Sequence, residues 1–114
     1  VDRKDAAART AAILRNFDFF GAPVGIIVTV DRACDRNGWG HVGMFLQTVC
    51  LVAHERGLAT CLQEAWGNLG QTIYKTLCIP ESEVIWCGLA LGYADPAHPV
   101  NGLRTEREPI EAFA

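Results

Sequence analysis

Trp39-Gly-His-Val-Gly-Met-Phe-Leu-Gln-Thr-Val-Cys-Leu-Val-Ala-His-Glu-Arg56, closed by Gly57, is the stretch whose reading decides the fold of this chain. Val42, Phe45, Leu46, Val49, Cys50 and Ala53 recur at the spacing of one α-helical face. Met44, Thr48, Leu51 and Val52 form a second face that is nearly as apolar. A helix greasy on two sides needs cover on two sides, which places it in a core or between subunits. Asn37 is suited to cap its start, and Gly57 to take the left-handed position just past its end. Gly40 and Gly43 in the first turns each cost roughly 1 kcal/mol of helix propensity. That cost suggests the close approach of a backbone or a ligand there.

Working outward, the 114 residues make at most one domain, and half of them are hydrophobic. A chain this short buries about two-thirds of its unfolded surface. The excess of apolar residues therefore implies an oligomer or a missing half. No apolar run reaches the ~20 residues of a membrane helix, so no membrane association is expected. No signal peptide opens the sequence, and the first residue, Val1, suggests a processed or truncated start. The net charge of -3 gives no electrostatic reason to expect nucleic acid. Five cysteines without a C-x-x-C pair point to a reducing, cytoplasmic setting, with Cys50 and Cys87 as small buried hydrophobes.

Ahead of the central helix, Asp2 to Asn16 reads as a helix anchored by Ile13 and Leu14. Phe17 to Pro23 reads as an aromatic loop, and Val24 to Val30 as a buried central strand. Asp31 to Gly38 is polar and loop-like. Beyond the helix, Leu58 to Leu62 is a short strand or buried extended segment, interrupted at Gln63-Glu-Ala65. Trp66, Leu69, Ile73 and Leu77 mark a third helix at helical spacing, stopped at Pro80. Glu83 to Tyr93 is a second strand with almost no polar position, hence mid-sheet. The remainder, residues 94–114, is polar and broken by Pro96, Pro99, Gly102 and Pro109, so it forms a tail without periodicity. Helices alternate with buried strands, which implies mixed α and β layers.

Few side chains carry chemistry of their own. Gly38-Trp-Gly-His-Val-Gly43 matches G-x-G-x-x-G, but Asp31 to Asn37 separate it from the preceding strand, so the tight dinucleotide turn is not formed and the match is read as chance. His41, His54 and His98 share no metal-ligand spacing, and no metal is expected. Cys61, in a loop near Glu64, has no histidine placed to activate it and reads as a buried thiol. No residue qualifies as catalytic, so an enzyme built on this chain would have a cofactor carry the reaction. Arg104-Thr-Glu-Arg107 fits a solvated turn or a phosphate clamp, because guanidinium presents a fork matched to phosphate oxygens.

Phe19-Phe-Gly-Ala-Pro23 before a strand, Ala53-His-Glu-Arg-Gly-Leu58 ending the helix, Gly88-Leu-Ala-Leu-Gly-Tyr93, and Arg104-Thr-Glu-Arg-Glu-Pro-Ile110 together resemble the C-terminal half of the FMN-dependent nitroreductase family. The resemblance implies a homodimeric α+β flavoprotein, with the long helix at the dimer interface and FMN where the subunits meet. It implies hydride transfer from NAD(P)H through flavin to nitroaromatics, quinones or similar small acceptors. By the same resemblance, Gln63, Glu64 and Ala65 match the loop whose backbone lies against the flavin. Arg107, assisted by Arg104, matches the phosphate-binding position. Many members carry glycine where this chain has Ala65. The family's N-terminal half, with its Arg/Ser-rich motif, is absent from this sequence. The alternative is therefore a non-catalytic oligomerisation or binding domain that has lost the flavin. Phe19, Phe20 and Trp66 are candidates for substrate-pocket walls and equally for core. The tail is expected to embrace a neighbouring subunit, with Pro109 to Phe113 adding an edge strand.

Overall fold

A computed structural model describes residues 4–113. Three helices and three strands are ordered α1 (Ala6–Leu14), β1 (Val24–Asp31), α2 (Arg36–Glu55), β2 (Ala59–Gln63), α3 (Gln71–Thr76) and β3 (Glu83–Gly92), with 3-10 turns between and after them. The strands form one antiparallel sheet in the order β1-β3-β2. The class is α+β, as expected.

Strand β3 is central because it is apolar on both faces: Ile85, Cys87, Leu89 and Ala90 are all buried. The sequence places Val24 to Val30 in the middle of the sheet as well, but β1 is an edge strand. Val24 and Ile26 remain exposed, and only Val30 is buried. Along β1 and β3 the register slips once, where Val28 opposes Cys87 and Thr29 opposes Ile85. The extra residue is Trp86. This bulge lets Trp86 meet Trp39 of α2, ring centroids 5.7 Å apart, while Ile85 joins the opposite face.

Helix α2 is 20 residues long and covers one face of the sheet. Its cap is Asp35, not Asn37: Asp35 Oδ1 accepts from the backbone N–H of Asn37 at 2.9 Å and of Gly38 at 3.5 Å. Gly57, at φ 75°, takes the left-handed position that ends it, as expected. Leu46 and Ala53 of the first apolar face are buried against the sheet, and Val42, Val49 and Cys50 are half-buried. Burying a leucine such as Leu46 is worth about 1.5–3 kcal/mol. Phe45 departs from that face: it stays exposed, lining a shallow apolar groove with Thr48, Val52 and Leu91. The second face is uncovered, with Met44 63% and Leu51 60% exposed.

The other face of the sheet carries an aromatic layer. Trp66, Ile73 and Ile85 form its buried centre, with Phe17, Phe19, Ile27, Tyr74 and Ile79 packed around them. The third helix of the sequence reading is broken. Glu64–Leu69 is a 3-10 turn, Gly70 takes φ 58°, and only Gln71–Thr76 is α-helical. The Ile85 backbone N–H donates to the Tyr74 hydroxyl at 3.0 Å, which ties α3 to β3. Ile13 and Leu14 of α1 are more than half exposed, and α1 has no buried residue among those described. Residues 1–3, part of the expected first helix, lie outside the described residues. From Tyr93 to Phe113 every residue is exposed, and Ile110–Ala112 forms a 3-10 turn where an edge strand was expected.

Candidate functional site

The residues read from the sequence leave opposite ends of the β2–β3 ladder. In the β2–β3 ladder Ala59 lies opposite Gly92 and Gln63 opposite Gly88. The turn that follows Gln63 therefore leaves the Gly88 end, while the tail leaves from Gly92. These points are four strand residues apart, on the order of 13 Å.

At the first end, Gln63 closes β2 with its side chain turned inward. It is 2% exposed, and its Nε2 donates to the Asn16 carbonyl at 2.8 Å. Glu64 is exposed and Ala65 half-buried, and they open the 3-10 turn Glu64–Leu69 with no side-chain cap. The leading N–H groups of such a turn have no carbonyl partner within it.

Trp66 follows directly and is core rather than pocket wall. Its ring stacks on Phe19 at 4.6 Å and 25°, and Phe17 meets it edge-on at 5.4 Å and 87°. Phe19 packs on that core and, with Phe20, also borders a groove. Both phenylalanines have positive φ, 47° and 56°, in a 3-10 turn spanning Arg15–Gly21. For side chains with a Cβ this backbone costs on the order of 1–2 kcal/mol per residue, which packing of the rings offsets.

At the other end, an open groove of about 540 Å³ lies between the Phe20–Pro23 turn, the start of β2 and the beginning of the tail. Arg15, Cys61, Tyr93, Asp95, His98 and Asn101 supply its polar lining. Sequence reasoning missed it, because no local motif joins a turn, a strand start and a tail. Cys61 is a strand residue at the surface, not a buried loop thiol. Desolvation still pushes its thiol pKa up, which argues against a ready nucleophile. Cys87 is buried, as expected, and Cys50 half-buried. Burial first, then the neighbouring Cys50 and Glu64, push the Cys87 thiol up.

Arg104 and Arg107 are exposed on the tail. Arg104 Nη1 donates to the carbonyls of Asn101 at 3.3 Å and Leu103 at 3.1 Å. Arg107 Nη1 donates to the Thr105 hydroxyl and to the Glu106 carbonyl at 3.1 Å. The bond to Asn101, which lines the groove, keeps Arg104 beside it. Among the described residues no three His, Cys, Asp or Glu side chains converge as metal ligands. No described helix is long and apolar enough to cross a membrane.

These features describe an α+β scaffold with exposed arginines on its tail and, among the described residues, no metal cluster. The chain belongs to the nitroreductase family, whose sequence profile matches residues 1–93. It is 43% identical over 113 residues to a 4-nitrobenzoate reductase of Pseudomonas putida, covering 99% of this chain and 50% of that protein. It is 42% identical over 97 residues to a 4-nitrobenzoate reductase of a Nocardioides species, covering 85% of this chain and 39% of the other. The crystal structure of NfnB from Sphingopyxis strain HMH, an FMN- and NADPH-dependent nitroreductase, superposes with a TM-score of 0.90 at 35% identity. That match covers all of this chain and 51% of NfnB. The chain spans about half the length of the relatives it matches.

Proposed function

We propose that these residues form the C-terminal part of an FMN-dependent, NAD(P)H-oxidising nitroreductase, with nitroaromatics such as 4-nitrobenzoate, quinones or similar small molecules as acceptors. The observation that carries the reading is the superposition of this whole chain on half of an FMN- and NADPH-dependent enzyme at 35% identity. Bound FMN would supply the hydride chemistry.

The residues present fit that group in kind. Glu64 and Ala65 offer uncapped backbone at the head of a 3-10 turn, as a flavin ring system requires. Gln63 belongs to this segment through its backbone, since its side chain is turned inward. Arg104 and Arg107 offer forked cations for the phosphate. Because the tail leaves the sheet at Gly92, opposite Ala59 rather than Gln63, the reading includes a homodimer in which α2 packs against its counterpart. The tail, residues 94–114, extends from the single domain onto the neighbouring subunit. The uncovered Met44–Leu51 face of α2 supports that arrangement. A cytoplasmic setting goes with free cysteines and with a nicotinamide donor.

The test is colour and turnover. The purified protein is expected to be yellow, to release FMN on denaturation, and to oxidise NADPH or NADH with 4-nitrobenzoate as acceptor. A colourless protein that takes up no FMN at tens of micromolar would favour the flavin-free scaffold instead.

A further inference from the structure

We propose that Gln63 and Trp66 are positioning residues that clamp the Glu64–Ala65 turn from both sides, a role that rests on the flavin reading above. The four residues alternate in a telling way. Gln63 and Trp66 are 2% and 7% exposed, while Glu64 between them is exposed and Ala65 half-buried. Both anchors converge on one residue. Gln63 is the ladder partner of Gly88, and the indole of Trp66 occupies the space a side chain at Gly88 would need. Gln63 Nε2 holds the Asn16 carbonyl, at the start of the aromatic turn, and Trp66 stacks on Phe19 of that same turn. A two-residue backbone segment pinned at both ends is pre-organised, and a ligand met by its main chain need not order it.

Core stability accounts for only part of the choice of these side chains: Gln63 Nε2 is paired with the Asn16 carbonyl. Gln63 Oε1 and Trp66 Nε1 are buried without a hydrogen-bond partner. Buried polar atoms are normally paired, and an unpaired one is unfavourable. A phenylalanine at 66 would fill similar space without the orphaned N–H, whereas a leucine at 63 would remove the orphaned oxygen but leave the Asn16 carbonyl without its donor. One atom is an acceptor and the other a donor, and both belong to the layer over Gly88. Fixing the turn on a ligand lets them satisfy each other, directly or through one water.

The test uses the flavin-binding protein with Gln63→Leu and Trp66→Phe, read by FMN titration, thermal melting of the apoprotein, and the indole N–H resonance of Trp66. In the parent, FMN should move that resonance downfield and slow its exchange, with Trp66→Phe providing the assignment. Gln63→Leu should abolish the shift and weaken FMN about ten-fold, besides lowering the melting temperature of the apoprotein through loss of the Asn16 bond. Trp66→Phe keeps the stacked ring and should show a smaller loss of affinity. A parent that binds no FMN sinks the flavin reading and the clamp with it. A parent that binds FMN, with Gln63→Leu binding as tightly, overturns the clamp alone. So does a fall in melting temperature with affinity unchanged, which assigns Gln63 to stability only.

Discussion

The indole of Trp66 lies directly over Gly88, in the volume that a Cβ at residue 88 would occupy. Phe19 stands over Gly25 in the same manner. In the sheet Gly25 pairs with Ala90, and Gly88 with Ile27 and Gln63, so small residues form a floor on which two stacked rings lie flat. The glycines are wanted here for the approach of the rings rather than for an unusual backbone.

Gly88→Ala should therefore be costly. The added methyl meets the rigid Cδ1 and Nε1 edge of Trp66, not the end of a flexible chain. Overpacking of this kind costs typically 1–3 kcal/mol. Because the ring must move, tryptophan fluorescence of the folded protein should change as well. Urea denaturation monitored by fluorescence and circular dichroism is the measurement, and a midpoint unchanged from the parent would contradict the packing described.

Leu51→Glu addresses α2. Leu51 is 60% exposed within one chain, so glutamate there should shift the stability of an isolated subunit by no more than about 0.5 kcal/mol. If this face is the subunit contact, the same change buries two like charges across it and should abolish association. Sedimentation velocity at micromolar concentration reads the outcome. A parent that runs as a monomer, or a variant that still associates, refutes the assignment of this face.

How far the sequence revealed the fold depends on what hydrophobicity reports. Strand β3 was legible because it is apolar on both faces and lies between two neighbours. Strand β1 is as apolar yet sits at an edge, since composition registers total burial and not which chain provides it. Asp35 displaced Asn37 as cap because cap-forming residues stand two apart, and spacing alone does not choose between them. Gly70 broke a helix whose apolar positions continue across it, the backbone overriding the periodicity. Pro109 to Phe113 reads as an edge strand only if a sheet edge is available to it. Within this chain it closes into a 3-10 turn. The Gln63–Ala65 segment is singled out by family resemblance alone. That Gln63 points inward was not legible, because its contact with Asn16 spans 47 residues.

The two perturbed thiols give a pH dependence. Burial raises the thiol pKa of both Cys61 and Cys87 in the folded chain. The unfolded chain then loses those protons first as pH rises, so the folded state binds more protons and stability falls with pH. The stabilisation is complete below the ordinary thiol pKa and is lost above it, as pH climbs toward the raised values. Melting temperatures between pH 7 and pH 10 should show this decline. Cys87→Val should flatten it, and an identical slope in that variant would remove Cys87 as a source.

Arg107 is the side chain best placed to separate a flavin-binding protein from an inert scaffold. The phosphate of FMN carries nearly two negative charges, and a protein of net charge -3 repels it at long range. Local cations must supply the attraction, and the tail places two of them three residues apart, both exposed. The present partners of Arg107 are Thr105 and the Glu106 carbonyl, short-range contacts that a phosphate can replace. A charge-assisted hydrogen bond contributes roughly 1.5–3 kcal/mol once shielded from water. Arg107→Ala should therefore weaken FMN binding by about ten- to a hundred-fold, since each 1.4 kcal/mol is one factor of ten. Arg107→Lys should lose less, because it keeps the charge and gives up only the fork. Riboflavin has no phosphate and should bind the parent and Arg107→Ala equally. Flavin-fluorescence titration of the three proteins with both ligands decides the matter. If Arg107→Ala binds FMN as tightly as the parent does, Arg107 is not the phosphate ligand.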